Sequence, residues 1–101
     1  MISITVAELK LRIKNKEDLL LIDVREPWEH EEYNIGGYLI PLSTLMDDIE
    51  KIDKKKPVVF YCRKGIRSQI AIQRLQQKYN YNNLINLAGG MDAWQKEGPS
   101  L

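Results

Sequence analysis

The chain contains a single cysteine, Cys62, and the residues after it could turn its thiol into a nucleophile. An apolar run, VVFY, leads into Cys62, and the segment RKGIRS follows it. Arg63, Lys64 and Arg67 place positive charge beside the sulfur, and positive charge favours the reactive thiolate over the thiol. Gly65 permits a positive φ angle, so the backbone can curl and turn its N–H groups inward. We therefore predict an activated thiolate in an anion-binding loop.

A helical pattern follows this loop and predicts a helix from Ser68 to Tyr79. The free N–H groups and the dipole of that helix would point at the thiol and favour its charged form. The alternative interpretation is a buried structural cysteine at a strand end, followed by a solvated basic loop. The combination of strand, cysteine, basic loop with glycine, and helix favours the catalytic interpretation.

Apolar runs predict the strands that must position the loop. Leu19 to Val24 and Val58 to Cys62 are almost unbroken apolar runs, as in strands of a parallel sheet that is covered on both faces. Shorter strands are predicted at Ile2 to Ile4, at Leu39 and Ile40, and at Leu84 to Leu87.

Helical spacing and capping residues predict the remaining elements. Thr5 and Glu8 form a capping box for a first helix. Ser43 or Thr44 could cap a helix that carries Leu45, Ile49 and Ile52. Two further helices are predicted over 26–33 and 91–96, and the second is expected to end at Gly98-Pro99. The alternation predicts an α/β domain with a mostly parallel sheet.

Ligands of such folds gather beyond the carboxyl ends of the strands, where Cys62 would lie. Asp23 and Arg25 follow another strand end, and we expect them to form a structural ion pair or turn hydrogen bond near the site. Glu26 and Glu29 are expected to be helix-start charges on a solvated face, and His30 to lie on the surface. Trp28 and Trp94 are expected to be packing residues.

Length and composition predict one domain over residues 1–101. The net charge of +1 argues against a nucleic-acid surface, and no apolar run reaches the roughly 20 residues of a membrane span. No signal peptide is evident, and one cysteine cannot form an internal disulfide, so a reducing cytoplasm is expected. No metal-ligand spacing, nucleotide-binding glycine motif or Ser-His-Asp set is found, so neither a metal nor a cofactor is expected.

Four segments resemble rhodanese-like sulfurtransferases. They are the loop CRKGIRS and the stretches LLIDVREPWE, NIGGYLIPL and NLAGGMDAW, which together cover about Ile4 to Trp94. The resemblance implies a rhodanese-like fold with a five-stranded, mostly parallel sheet flanked by helices on both faces.

The resemblance also implies a sulfurtransferase that forms a persulfide on Cys62. The sulfur would come from thiosulfate or another sulfane donor and would pass to a thiol or to cyanide. Cys62 matches the family's nucleophile and Arg67 its loop arginine, with Asp23 and Arg25 as supporting residues near the site. The substrate cradle would consist of Arg63, Lys64, Gly65, Ile66, Arg67 and Ser68.

Two alternatives remain open at this point. A cysteine phosphatase or arsenate reductase also uses a loop thiolate and an arginine, but such loops resemble C-x₅-R, whereas four residues separate Cys62 from Arg67 here. A persulfide relay or regulatory module would act only with a protein that donates or accepts sulfur.

The glycine turn departs from the family pattern. Asn34 stands near a frequent His, Gly36 near a frequent Pro, and Tyr38 near a small residue. We expect this segment to lie toward the rim of the site and to affect acceptor preference.

Overall fold

Five parallel strands form one sheet in the order β1-β5-β4-β2-β3. The computed structural model describes residues 1–97. The strands are β1 (Ile2–Ile4), β2 (Leu20–Asp23), β3 (Tyr38–Leu39), β4 (Val58–Tyr61) and β5 (Leu84–Leu87). The predicted five-stranded α/β fold is confirmed, and β3 begins one residue earlier than predicted.

The helices are α1 (Val6–Lys14), α2 (Pro27–Glu32), α3 (Ile66–Lys78) and α4 (Gly90–Glu97). The capping box of α1 is confirmed, because the Thr5 hydroxyl accepts the Glu8 N–H while the Glu8 carboxylate accepts the Thr5 N–H. α3 begins two residues earlier than predicted, since Gly65 rather than a side-chain cap starts it. The expected stop at Gly98-Pro99 lies outside the described residues.

The predicted helix after Ser43 or Thr44 is wrong. Two 3₁₀ segments, Leu42–Asp47 and Ile49–Lys51, occupy this region. Asp48 separates them with φ −117° and ψ 28°, and its N–H donates to the carbonyl of Leu45 three residues earlier. The tighter turn still buries Leu45 and Ile52 against the sheet, so burial can be satisfied without a regular α-helix.

Alternate side chains of β4 build the two apolar layers. Val58 and Phe60 pack in a layer with α3 and the 3₁₀ segments, whereas Val59 and Tyr61 pack in a layer with α1 and α4. All four side chains are fully buried. Burial of each such side chain stabilises the fold by roughly 1.5–3 kcal/mol. The sheet therefore holds the carboxyl end of β4 rigidly between two packed layers.

The carboxyl ends of all the strands meet at one edge of the sheet, because the strands are parallel. The N–H of Val24 donates to the carbonyl of Tyr61, which fixes the ends of β2 and β4 side by side. Asp23 and Cys62 therefore lie at the same edge, as predicted for ligand-binding positions. Among residues 1–97, no helix is long and apolar enough to cross a membrane.

Candidate active site

Cys62 follows the end of the central strand β4, and its sulfur is held by backbone amides. The N–H groups of Gly65 and Ser68 donate to Sγ at 3.1 and 3.4 Å. These amides belong to the first turn of α3, whose dipole favours negative charge at the same place. The residue is only 1% exposed, yet its sulfur accepts polar hydrogens rather than pointing into apolar atoms alone. The two amides are therefore placed to bind a negatively charged sulfur.

Gly65 provides the bend that brings these amides to the sulfur. Its φ of +94° lies in the left-handed region, which residues with a Cβ rarely adopt. A Cβ at this position would also lie 3.2 Å from the amide nitrogen of Gly89. Both the conformation and the close approach of the last turn therefore require glycine.

The start of α4 holds the cysteine loop from the other side. The N–H of Met91 donates to the carbonyl of Cys62, and that of Asp92 to the carbonyl of Arg63, both at 2.9 Å. Gly90 makes this possible, because a Cβ there would collide with the Cys62 carbonyl oxygen. With its carbonyls bound to α4, the loop can direct its N–H groups toward the sulfur.

A buried polar pair lies beside the thiol. The hydroxyl of Ser68 donates to Oδ1 of Asn86 on β5, and both residues are almost fully buried. The Ser68 oxygen lies 3.5 Å from Sγ of Cys62. Asn86 therefore fixes the side chain of a residue whose backbone N–H contacts the Cys62 sulfur.

The thiol borders a cavity of about 160 Å³. Its lining residues are Cys62, Arg63, Lys64, Ile66 and Arg67. A larger cavity, of about 560 Å³, lies beside the edge strand β3. Because no cysteine lines that larger cavity, the chemistry assigns the site to the smaller one.

The carboxylate of Glu29 binds the guanidinium of Arg67. The two side chains form a paired hydrogen bond, with nitrogen–oxygen distances of 2.7 and 3.0 Å. The bond lowers the pKa of Glu29 from 4.5 to about 2 and raises that of Arg67. The expectation of a solvated Glu29 is wrong, since the residue is 8% exposed and helix α2 turns it toward the loop.

Asp23 and Arg25 form the structural ion pair that was expected. Arg25 donates from Nε and from a terminal nitrogen to the two carboxylate oxygens of Asp23, at 2.9 and 2.8 Å. Nδ1 of His30 lies 2.9 Å from the same carboxylate. The prediction that His30 lies on the surface is thus wrong, because its ring is half-buried and contacts the buried carboxylate of Asp23.

A second cleft, of about 140 Å³, adjoins the cysteine cavity, since Arg63 lines both. Arg25, Trp28, Glu29 and Tyr33 also line it. Trp28 is 62% exposed, so the expectation that it is a packing residue is wrong. Trp94 does pack against the layer of α1 and α4, as expected.

The three departures in the glycine turn are not part of the lining of the cysteine cavity. Gly36 and Tyr38 line a cavity with residues of the α1–β2 connection, because the turn enters β3 at its amino end. Asn34 donates to the carbonyl of His30 and accepts the Gly36 N–H. Tyr33, at the start of this segment, lines the cleft that adjoins the cysteine cavity, whereas Gly36 and Tyr38 line a different cavity.

Comparison with known proteins agrees with this geometry. Residues 5–97 match the family model of the rhodanese-like domain. The chain belongs to the rhodanese-like family. This rhodanese-like chain is 37% identical over 91 residues to a sulfurtransferase of Allochromatium vinosum, covering 89% of the chain and 84% of the relative. It is 35% identical over 86 residues to the thiosulfate sulfurtransferase GlpE of Coxiella burnetii, covering 84% and 79%.

A solved structure shares the fold of this rhodanese-like chain. A crystal structure from Staphylococcus saprophyticus is 34% identical and superposes with a TM-score of 0.84, covering 97% of each chain. Two sequence relatives of this family member are thus named sulfurtransferases, and the solved structure shares its fold.

The structure brings most of the predicted site residues around one sulfur. The cavity beside the sulfur is lined by Arg63, Lys64, Ile66 and Arg67. The sulfur itself accepts hydrogen bonds from the amides of Gly65 and Ser68. Asp23 and Arg25 lie in a neighbouring network rather than in that lining. Sequence reasoning missed the contacts of three residues: Glu29, Asn86 and Gly90. Only the paired glycines in AGG gave a local signal, that of a turn.

Proposed function

We propose that the protein is a sulfurtransferase that forms a persulfide on Cys62. The observation that carries the proposal is the pair of amide hydrogen bonds to Sγ from Gly65 and Ser68. Backbone amides aimed at one sulfur can bind a charged sulfur before the reaction and the terminal sulfur of the persulfide after it. Family membership and the names of the relatives support the same chemistry.

The proposed step transfers one neutral sulfur atom. The Cys62 thiolate attacks the outer sulfur of the donor, and a new S–S bond forms as the donor's own bond to that sulfur breaks. The leaving group departs with the electron pair, as sulfite from thiosulfate or as a thiolate from an organic persulfide. A thiol or cyanide then attacks the outer sulfur of the persulfide and restores the Cys62 thiolate.

Mass spectrometry of the intact protein tests this function. Incubation with a sulfane donor, without reducing agent, should add one sulfur atom, and peptide mapping should place it on Cys62. Cys62→Ser is the matched control and should gain nothing. Failure of both thiosulfate and an organic persulfide to add sulfur would reject the function.

A protein-dependent relay is the second candidate, and one observation favours it. Trp28 and Ile66 are 62% and 64% exposed and line the two adjoining cavities. In a relay, these two exposed apolar side chains would contact the docked partner. Turnover from thiosulfate to cyanide without a second protein would argue for a free enzyme, and persulfide formation without such turnover would argue for the relay. A phosphatase is disfavoured by the short loop between Cys62 and Arg67.

A further inference from the structure

Carboxylates pair with two of the three cations around Cys62, and this pairing affects which sulfur donor the site can bind. Arg67 is bound by both oxygens of Glu29. Arg63 lies 3.4 Å from an oxygen of Asp92. Lys64 is the remaining cation in the cavity lining, and no ion pair to it is found among residues 1–97. Within the described part of the chain, Arg67 is therefore the one cation of the lining whose charge a buried carboxylate already compensates before a donor arrives.

The Glu29–Arg67 pair is the strongest of these interactions. Glu29 is almost fully buried and contributes two short hydrogen bonds, whereas both members of the Arg63–Asp92 pair are largely exposed. Solvent screens an exposed pair, so Arg63 stays largely available while Arg67 does not. A donor oxyanion would have to compete with a bidentate carboxylate for the Arg67 guanidinium.

The walls of the site also contain apolar surface. Ile66 is 64% exposed while lining the cavity with Cys62, and Trp28 is 62% exposed in the cleft that shares Arg63 with it. An inorganic anion gains nothing from such side chains, but the carbon body of an organic persulfide can bury them. Charge and apolar surface thus point to the same class of donor.

We infer that the preferred sulfur donor is an organic persulfide of low charge, not thiosulfate, and that Glu29 sets this preference by neutralising Arg67. The inference rests on the proposed persulfide chemistry of Cys62. In the step, Cys62–S⁻ attacks the outer sulfur of R–S–S–H. The products are Cys62–S–S–H and R–S⁻, and R–S⁻ leaves with the electron pair. Glu29 is a positioning residue, because it acts through Arg67 and not on the donor.

The experiment compares the rates at which two donors add sulfur to Cys62, followed by mass spectrometry. The donors are thiosulfate and the persulfide of N-acetylcysteine methyl ester, whose body carries no charge. The same pair of reactions with free N-acetylcysteine corrects for the intrinsic reactivity of each donor. After this correction, the persulfide should react with the wild-type protein about tenfold faster or more.

Two variants should change the reaction rates of the two donors independently of each other. Glu29→Gln frees Arg67 and should raise the second-order rate constant for thiosulfate at least about threefold, an effect that added salt reduces. The rate constant for the persulfide, whose organic body is uncharged and which carries less negative charge than thiosulfate, should change much less. Ile66→Ser should lower the persulfide rate about threefold without a matching fall for thiosulfate.

Controls separate failure of this inference from failure of the proposed function. Glu31→Gln removes an exposed charge from the same helix, so it reports any general effect of net charge on thiosulfate. If Glu29→Gln does not fold, Asp92→Asn removes the weaker, exposed carboxylate from Arg63 and should raise the thiosulfate rate by a smaller factor. A corrected thiosulfate rate equal to or above the persulfide rate would overturn the donor preference while leaving the persulfide function intact. Equal thiosulfate rates for Glu29→Gln and Glu31→Gln would overturn the role of Glu29.

Discussion

The backbone N–H of Met91 donates a 2.9 Å hydrogen bond to the carbonyl oxygen of Cys62, so the last helix holds the peptide that carries the thiol. The next amide, of Asp92, binds the carbonyl of Arg63 in the same way. The N-terminus of α4 thus satisfies the loop carbonyls, while the N-terminus of α3 supplies amides to the sulfur. The two helices together fix which way each peptide of the loop faces.

Replacement of Gly90 by alanine should therefore misplace the Cys62 thiol. The new Cβ would collide with the Cys62 carbonyl oxygen, and φ of +55° would be strained as well. A displacement of about 1 Å at a reacting group can cost about 100-fold in rate, so persulfide formation should fall by at least about tenfold. The measurement is the rate of sulfur addition to Cys62 by mass spectrometry, below the unfolding temperature of the variant.

Gly36→Ala is the matched control for this prediction. Gly36 also has a positive φ, +89°, but no atom lies within 4 Å of a Cβ at that position. Each variant should lose roughly 1 kcal/mol of stability through φ strain, and Gly90→Ala should lose more through the collision with the loop backbone; only Gly90→Ala should lose the sulfur-addition rate. Equal rates in the two variants would show that the contact between α4 and the loop is not needed for chemistry.

The sequence predicted the parallel sheet and the cysteine loop because both depend on local patterns. The apolar runs of β2 and β4 are continuous, and the loop residues that surround the sulfur are adjacent in the chain. The pair Glu29–Arg67 joins residues 38 positions apart, and Ser68–Asn86 joins residues 18 apart. No spacing rule connects such residues, so only the folded backbone reveals these contacts.

The prediction of an α-helix after Pro41 was wrong for a different reason. Leu45, Ile49 and Ile52 have spacing that suits one face of an α-helix, but the chain forms two 3₁₀ segments with a break at Asp48. A short apolar pattern does not distinguish between these turns, because both can bury the same side chains. Packing against the sheet selects the tighter geometry.

The Glu29–Arg67 pair should make stability depend on pH in the acid range. The pKa of Glu29 falls from 4.5 to about 2 on folding. The stabilisation is therefore complete above pH 4.5 and is lost as pH falls toward 2. The shift corresponds to about 3 kcal/mol at most. Screening at Arg67, whose side chain is 34% exposed, reduces this to roughly 1–2 kcal/mol.

Urea unfolding of the wild type and of Glu29→Gln across this pH range provides the measurement. The wild type should be more stable at neutral pH, and the difference should shrink steadily between pH 4.5 and 2. A difference that stays constant through this range would show that the ionisation of Glu29 does not contribute to stability.

Replacement of Asp23 by asparagine should strongly destabilise the protein. Asp23 is fully buried, and its carboxylate holds both the guanidinium of Arg25 and the ring of His30. The variant leaves a buried arginine without its counter-charge, which typically costs about 3–5 kcal/mol. Urea unfolding at neutral pH measures the loss. Asp18→Asn is the control, because Asp18 is exposed, pairs with Lys56 at 3.3 Å and should contribute less than about 1 kcal/mol.

Ser68 and Asn86 should be energetically coupled, because each is the polar partner of the other in a buried place. Ser68→Ala leaves Oδ1 of Asn86 without its donor and should cost about 1–3 kcal/mol. Asn86→Val should cost a similar amount by leaving the Ser68 hydroxyl without its acceptor. The double variant removes both polar groups, so its loss should be smaller than the sum of the single losses by about 1 kcal/mol or more. Urea unfolding of the four proteins gives this coupling energy. Additive losses would mean that the short hydrogen bond beside the thiol does not stabilise the fold.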